Sequence, residues 1–150
     1  MDVEVFDQKP EDFFADVEVG ACYLEHEGRV LLLQNSHQKN EAGKWGLPAG
    51  KKEENECTKT CAKRELMEET GIGIDSIDAL TTLAVLYYRK PSVQYLFHIY
   101  KIEISAIPSL TLSDEHQDYI WASKEDLQTL PLMIGAKEAL SYCQGQLGEK

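Results

Sequence analysis

No stretch of this 150-residue chain offers the run of about 18 apolar residues that a membrane-spanning helix needs; the longest runs, such as Val30-Leu31-Leu32-Leu33, are strand length. The first residues are acidic (Asp2, Glu4, Asp7) and lack the basic-then-apolar layout of a secretory leader, so cytoplasmic residence is the default expectation. Cysteine is sparse. Cys22, Cys57, Cys61 and Cys143 form no C-x-x-C pair, and no second Cys/His pair completes a zinc set around Cys57 and Cys61, so reduced thiols are expected. Internal repeats, low-complexity tracts and linkers are missing, and so is the D-x-D-x-D-G loop of helical calcium sites. Positive charge is in deficit, with 15 Lys and Arg against 26 Asp and Glu and a net charge of −11. That excludes a general nucleic-acid binder, which needs a basic face for phosphate backbones. Phosphorylated small molecules remain compatible if some of the carboxylates hold divalent cations, which reverse the local sign of a site.

What is present is a chain with 43% hydrophobic residues, enough for the core of one domain spanning residues 1–150, with residues 1–12 as an N-terminal arm or short edge segment. Val17 to Leu24 and Arg29 to Gln34 read as strands joined by a turn at Glu27-Gly28. Ser36 to Lys44 is polar and loop-like, and Trp45-Gly46-Leu47-Pro48-Ala49-Gly50 is too rich in Gly and Pro for a helix. Glu56 to Thr70 consists of helix formers, with Gly71 where a C-terminal cap belongs. Leu80 to Tyr88 and Val93 to Ile104 form a second hairpin, Tyr119 to Ala122 a short strand, Ser123 a cap with Asp126 as its partner, and Leu132 to Gln144 the last helix. Intermingled strands and helices with two hairpins predict an α/β fold: a mixed β-sheet with helices on both faces, an α/β/α sandwich.

The stretch Gly50–Ile72 carries the chemistry. At about 100° per residue, Glu65, Glu68 and Glu69 fall on one helix face, while Ala62, Leu66 and Thr70 form the adjacent stripe that can pack on a sheet. Like charges so close repel, and acids near a helix C-terminus oppose its dipole. A hard divalent cation with oxygen ligands turns that repulsion into coordination.

The pattern G-x5-E-x7-R-E-(apolar)-x-E-E-x-G-(apolar) resembles the Nudix box, met at Gly50, Glu56, Arg64, Glu65, Leu66, Glu68, Glu69, Gly71 and Ile72. The lead-in Trp45-x-Leu47-Pro48-x-Gly50 is also similar, although Ala49 stands where the family often has glycine. The resemblance implies a Nudix-type fold and hydrolysis of a phosphoanhydride bond in a nucleoside diphosphate linked to another moiety, with Mg2+ as cofactor and Mn2+ as a substitute. It implies Glu65, Glu68, Glu69, the Ala49 carbonyl and Glu115 as metal ligands, Glu65 or Glu115 as general base, and Arg64 as the residue that orients a box glutamate. Glu115 enters because the family often has an acid about six positions before a strand aromatic, here Trp121. Glu56 is expected to cap the helix or support the metal site. Among residues that can stack on a base or meet a phosphate, Trp45, Tyr87 and Arg89 are the substrate-side candidates, with Tyr88, Phe97 and Lys90 nearby. His37, His98 and His116 show no partner spacing. The expected partner is a nucleotide small molecule, with neither nucleic acid nor membrane; homodimerisation is left open. The expected substrate is a (d)NTP or oxidised nucleotide. The alternatives are a nucleotide sugar, ADP-ribose or a dinucleoside polyphosphate, and, in a different class, a silent nucleotide-binding regulatory module.

Overall fold

The computed structural model describes residues 3–147. In chain order the elements are β1 (Glu4–Phe6), β2 (Val17–His26), β3 (Arg29–Asn35), β4 (Trp45–Gly46), β5 (Ala49–Lys51), α1 (Thr58–Thr70), a 3-10 turn (Ile77–Ala79), β6 (Thr81–Lys90), β7 (Val93–Glu103), β8 (His116–Ala122), α2 (Lys124–Thr129) and α3 (Ala136–Leu147). All strands join one sheet, in which β1-β6-β7-β2-β3-β4 run side by side, with β5 on β2 and β8 on β3. The sheet is mixed: β2 pairs with β7 in parallel, and the other pairings are antiparallel.

The local chemistry explains the turns. Glu27 (φ 50) and Gly28 (φ 80) are both left-handed, the geometry that suits a tight two-residue hairpin between twisted strands. Beyond that turn β2 and β3 pair only at Glu25↔Val30 and His26↔Arg29. Further along they splay, and the chain between Trp45 and Lys51 fills the wedge. Leu33 pairs with Gly46 on that side and with Tyr119 on the other. Val19 pairs with Lys51 on that side and with Phe97 on the other. The Cys22 N–H donates to the Pro48 carbonyl at 3.0 Å, closing the seam.

Strand alternation divides the core into two layers. Cys22, Leu24, Leu31 and Leu33 face α1 through Ala62 and Leu66. Ala21, Tyr23, Val30, Leu32, Ala84, Leu86, Tyr88 and Ile99 face α3 through Ala139, Leu140 and Cys143. Leu66 is fully buried, and truncating such a residue to alanine costs about 2–5 kcal/mol. The expected sandwich is therefore observed, with α1 and α3 on opposite faces. Among the described residues no helix is long and apolar enough to cross a membrane.

Several boundaries differ from the sequence reading: β8 begins at His116 rather than Tyr119, β6 extends to Lys90 rather than Tyr88, and both longer helices start later. The box helix begins at Thr58 rather than Glu56, because Glu56 belongs to the preceding turn: its N–H donates to the Glu53 carbonyl at 3.1 Å, and its carboxylate accepts from Glu53 N–H at 2.9 Å. The last helix begins at Ala136 rather than Leu132. Residues 131–133 add to the sheet instead, with Trp45 N–H donating to Pro131 O and Met133 N–H to Trp45 O, both at 2.9 Å; Gly135 (φ 87) then turns the chain into α3. The two caps read from sequence are present: Gly71 (φ 77) ends α1 by donating its N–H to Met67 O, and Ser123 and Asp126 form a reciprocal capping box at α2.

Candidate active site

Helix α1 lies against β2 and β5 with almost no spacing. A side chain at Gly20 would sit 2.5 Å from the Thr58 carbonyl oxygen and 2.9 Å from the Ala62 nitrogen. A side chain at Gly50 would occupy the place of the Glu65 carboxylate. The close approach buries one carboxylate and largely covers another. Glu69 is 4% exposed and accepts from the Ala49 N–H at 3.2 Å. The Glu65 side chain is 15% exposed and is hydrogen-bonded to Glu69. Burial and the neighbouring Glu65 push Glu69 well above the usual carboxylate range, and burial also raises Glu65. Burial and mutual repulsion disfavour ionising both acids at once and favour one proton shared between them.

Arg64 organises the outer side of this pair. Its Nε donates to Glu56 Oε2 at 2.7 Å and its Nη2 to Glu56 Oε1 at 3.0 Å, a two-pronged grip. Its Nη1 reaches Glu65 at 3.0 Å and Glu68 at 3.3 Å, and Nη2 also donates to the Lys51 carbonyl at 3.2 Å. The guanidinium holds the Glu56 carboxyl down at about 2. Arg64 thus binds three glutamates at once, and Glu56 serves it rather than capping the helix. The Glu68 side chain is 57% exposed and shares Arg64 Nη1 with Glu65, which keeps its carboxylate beside that of Glu65 on the solvent side.

The chain from Leu110 to Glu115 straps across the end of α1. Thr111 N–H donates to Thr70 O at 2.8 Å, Ser113 N–H to Glu69 O at 3.3 Å, and Ser36 N–H to Glu115 O at 2.9 Å. The first two satisfy carbonyls at the end of α1, and the three together set Glu115 and His116 beside Glu69. One ligand atom from each of Glu69, Glu115 and His116 lies within 4.8 Å of the others. His116 is buried, its Nδ1 has no hydrogen-bond partner, and burial lowers its pKa to about 4, which keeps the imidazole neutral. An orphaned neutral ring nitrogen beside two carboxylates, next to a buried acid pair of which Arg64 contacts only Glu65, is a donor set that fits a divalent cation. Lys39 stands at the rim, its Nζ 3.7 Å from Glu115 Oε1.

A cavity of about 120 Å³ opens beside this cluster, bordered by Ala49, Lys39 and His116 at the carboxylate end and walled by Leu47, Tyr88, Tyr95 and Phe97. Tyr88 and Tyr95 stack with centroids 4.8 Å apart. Of the three substrate-side candidates, none lines it. Trp45 is buried in the core next to the cavity-lining Gly46 and Leu47. Tyr87 packs edge-on against Phe13 at 5.3 Å, and Arg89 is bonded to Asp12 at 2.8 Å and to Gln94 at 3.1 Å. Alternation along β6 turns both away from the face on which Tyr88 and the cavity lie. The sequence reading named His116 only as a histidine without partner spacing, and did not name Lys39, Asn35 or Tyr95. For His116, the one signal in the sequence was its place directly after Glu115.

The candidate site thus combines a glutamate-bearing helix clamped by Arg64, a strap that brings Glu115 and His116 beside Glu69, and an aromatic cavity on a mixed sheet. The NUDIX domain pattern matches residues 15–143, and the chain belongs to that family and is a Nudix hydrolase. It is similar to the CTP pyrophosphohydrolase of Escherichia coli (strain K12), with 29% identity over 116 residues covering 77% of this chain and 82% of the relative. The fold is also that of the MutT protein from Methanosarcina mazei Go1, with a TM-score of 0.76 at 24% identity, covering 89% of this chain and 96% of that one. The NUDIX domain of Shewanella oneidensis NrtR, solved with ADP ribose, superposes with a TM-score of 0.73 at 20% identity over 94% of each chain.

Proposed function

We propose that this enzyme hydrolyses a nucleoside triphosphate, canonical or oxidised, between phosphates, yielding a nucleoside monophosphate and pyrophosphate with magnesium as its cation. The observation that carries this reading is the continuity between the carboxylate cluster and the aromatic cavity through Ala49, Lys39 and His116. It spaces a cation site and a ring-binding site within reach of one nucleotide. Similarity to an enzyme named for CTP points the same way.

Glu65, Glu68, Glu69 and Glu115, with the Ala49 carbonyl, would hold magnesium, with His116 beside them; the ion supplies charge neutralisation on the phosphates and a more acidic water when bound. Arg64 fixes the Glu65 carboxylate so that it need not reorient during turnover. Glu115, 62% exposed at the rim, has the solvent access that a base needs to take a proton from water and release it. Glu65, wedged against Gly50, lacks that access. Lys39, 3.7 Å from Glu115 at the rim, would offer its ammonium to a phosphate oxygen. Residues 1–150 act as one cytoplasmic domain, with Cys22, Cys57, Cys61 and Cys143 as free thiols.

The test is a magnesium assay over nucleoside triphosphates, oxidised nucleotides, ADP-ribose, nucleotide sugars and dinucleoside polyphosphates, with Glu69→Gln as control. Turnover of triphosphates that falls at least about 100-fold in the variant is expected. Turnover confined to another class, or unchanged in Glu69→Gln, refutes the reading.

A further inference from the structure

The aromatic cavity is small. An engineered apolar cavity of about 150 Å³ holds one benzene, and this one measures about 120 Å³, the room of a single six-membered ring. The Tyr88–Tyr95 stack is already closed at 4.8 Å, so no base enters between those rings; it must lie beside them. The Tyr88 hydroxyl is spent on the Gly135 carbonyl at 2.8 Å.

Besides Leu47, two longer segments outside the regular elements line this cavity: the loop 36–44, through Lys39, and Met133–Gly135 ahead of α3. One hydrogen bond ties them together, from the Ile134 N–H to the Glu41 carboxylate at 2.7 Å, across 93 positions of sequence. Glu41 is fixed for this contact. Its backbone has φ 58, a left-handed value that glutamate rarely adopts. Its carbonyl accepts from Asn35 Nδ2 at 3.3 Å and from Lys44 N–H at 3.1 Å. Asn35 is itself buried and lines the cavity. On the other side, Gly135 (φ 87) packs so tightly on Tyr88 that a side chain there would meet the ring at 2.5 Å. The 133–135 border of the cavity is therefore held at Met133 by the bond to the Trp45 carbonyl, at Gly135 by Tyr88, and at Ile134, between them, by Glu41. The Glu41 charge also reaches the Tyr95 hydroxyl, which burial and then Glu41 raise to about 12.

We propose that Glu41 is a specificity-determining residue, whose tie to Ile134 holds the cavity at single-ring size so that the enzyme selects pyrimidine over purine nucleotides. This rests on the reading of the chain as a nucleoside triphosphate hydrolase. Opening the tie frees Ile134 and the loop 36–44 from each other, while Met133 and Gly135 stay anchored, and admits the larger base at that border.

The experiment measures calorimetric affinities for CMP and GMP without magnesium, and kcat and KM for CTP and GTP with it, in the wild type, Glu41→Ala, Glu41→Asp and Glu41→Gln. The wild type is expected to favour the cytosine ligand by about tenfold or more in both measurements. Glu41→Ala should bring that preference within about threefold, through KM with kcat nearly unchanged. Glu41→Gln keeps an acceptor oxygen and should retain the preference. Should Glu41→Ala lose its fold, Glu41→Asp, which retracts the carboxylate without removing it, must show the same loss. Equal wild-type affinities, or a preference untouched in both Glu41→Ala and Glu41→Asp, overturn the proposal. A wild type that hydrolyses no triphosphate yet prefers CMP overturns the proposed reaction and leaves this inference standing. Equal hydrolysis of CTP and GTP with equal monophosphate affinities does the reverse.

Discussion

Gly20 and Gly50 face one another across the β2–β5 ladder, and α1 rests on both. The two missing side chains have different consequences. At Gly20 a methyl group would strike helix backbone, which cannot yield without moving α1. Gly20→Ala should cost about 1–3 kcal/mol, read as a fall in the denaturation midpoint. At Gly50 the obstacle is the Glu65 carboxylate, so Gly50→Ala should displace that group, lowering kcat/KM about 100-fold or more while the melting temperature changes little. A Gly50→Ala enzyme of normal activity would refute the placement of Glu65.

The grip of Arg64 on Glu56 makes a second prediction. Lysine has a single point of donation and cannot hold both oxygens. Arg64→Lys should therefore reduce turnover by about tenfold or more, even though charge is conserved. Because Glu56 is depressed in the folded state to about 2, its ion pair stabilises fully above the ordinary carboxylate pKa and is lost as pH falls toward 2. Thermal melts of Glu56→Gln against wild type should differ at pH 6 and converge in acid.

The buried acid pair gives the opposite pH dependence. Glu69 and Glu65 are raised in the metal-free fold, so their contribution is present below the ordinary carboxylate pKa and lost as pH rises. Metal-free protein should melt at progressively lower temperature from pH 5 to pH 9. Glu69→Gln should flatten that slope, and magnesium should restore the wild-type melting temperature at alkaline pH. A wild-type slope identical to that of the variant would rule out the shared proton.

His116 offers a test independent of turnover. Its unpartnered Nδ1 beside Glu69 and Glu115 predicts that His116→Ala weakens magnesium binding about 10- to 100-fold, measured as the metal concentration that half-restores the melting temperature. An unchanged midpoint would make the ring a packing residue only.

For the nucleotide cavity, Phe97→Ala should raise KM about tenfold, whereas Tyr87→Ala should leave KM within about twofold. The reverse result would move the cavity to the other face of the sheet.

The contrast between Tyr87 and Tyr88 also shows where the sequence stops speaking. The box is legible because its spacing lies within one helix, so Arg64, Glu65, Glu68 and Glu69 could be placed on a surface from periodicity alone. Which face of β6 looks into the cavity depends on strand register, and a one-residue step reverses it; here the β6–β7 ladder shifts between Thr82 and Ala84. Glu56 was legible as a box residue but not as the partner of Arg64, because a turn at Asn55 (φ 69) brings it back under the helix. His116 and Glu69 are joined only by the strap over α1, and Glu41 and Ile134 by a bond between remote loops. Neither contact leaves a periodic trace.

The wedge between β2 and β3 ties the assembly of the site to the order of folding. Cys22 and Leu33 obtain partners on the inner seam only after Trp45–Lys51 has docked, and that segment is in turn held by residues 131–133 from near the other end of the chain. Such contacts have high sequence separation and slow the search for the native state. Protection of the Cys22 amide from hydrogen exchange should therefore appear together with the carboxylate cluster rather than before it, so a nascent chain has no preformed trap for stray metal ions.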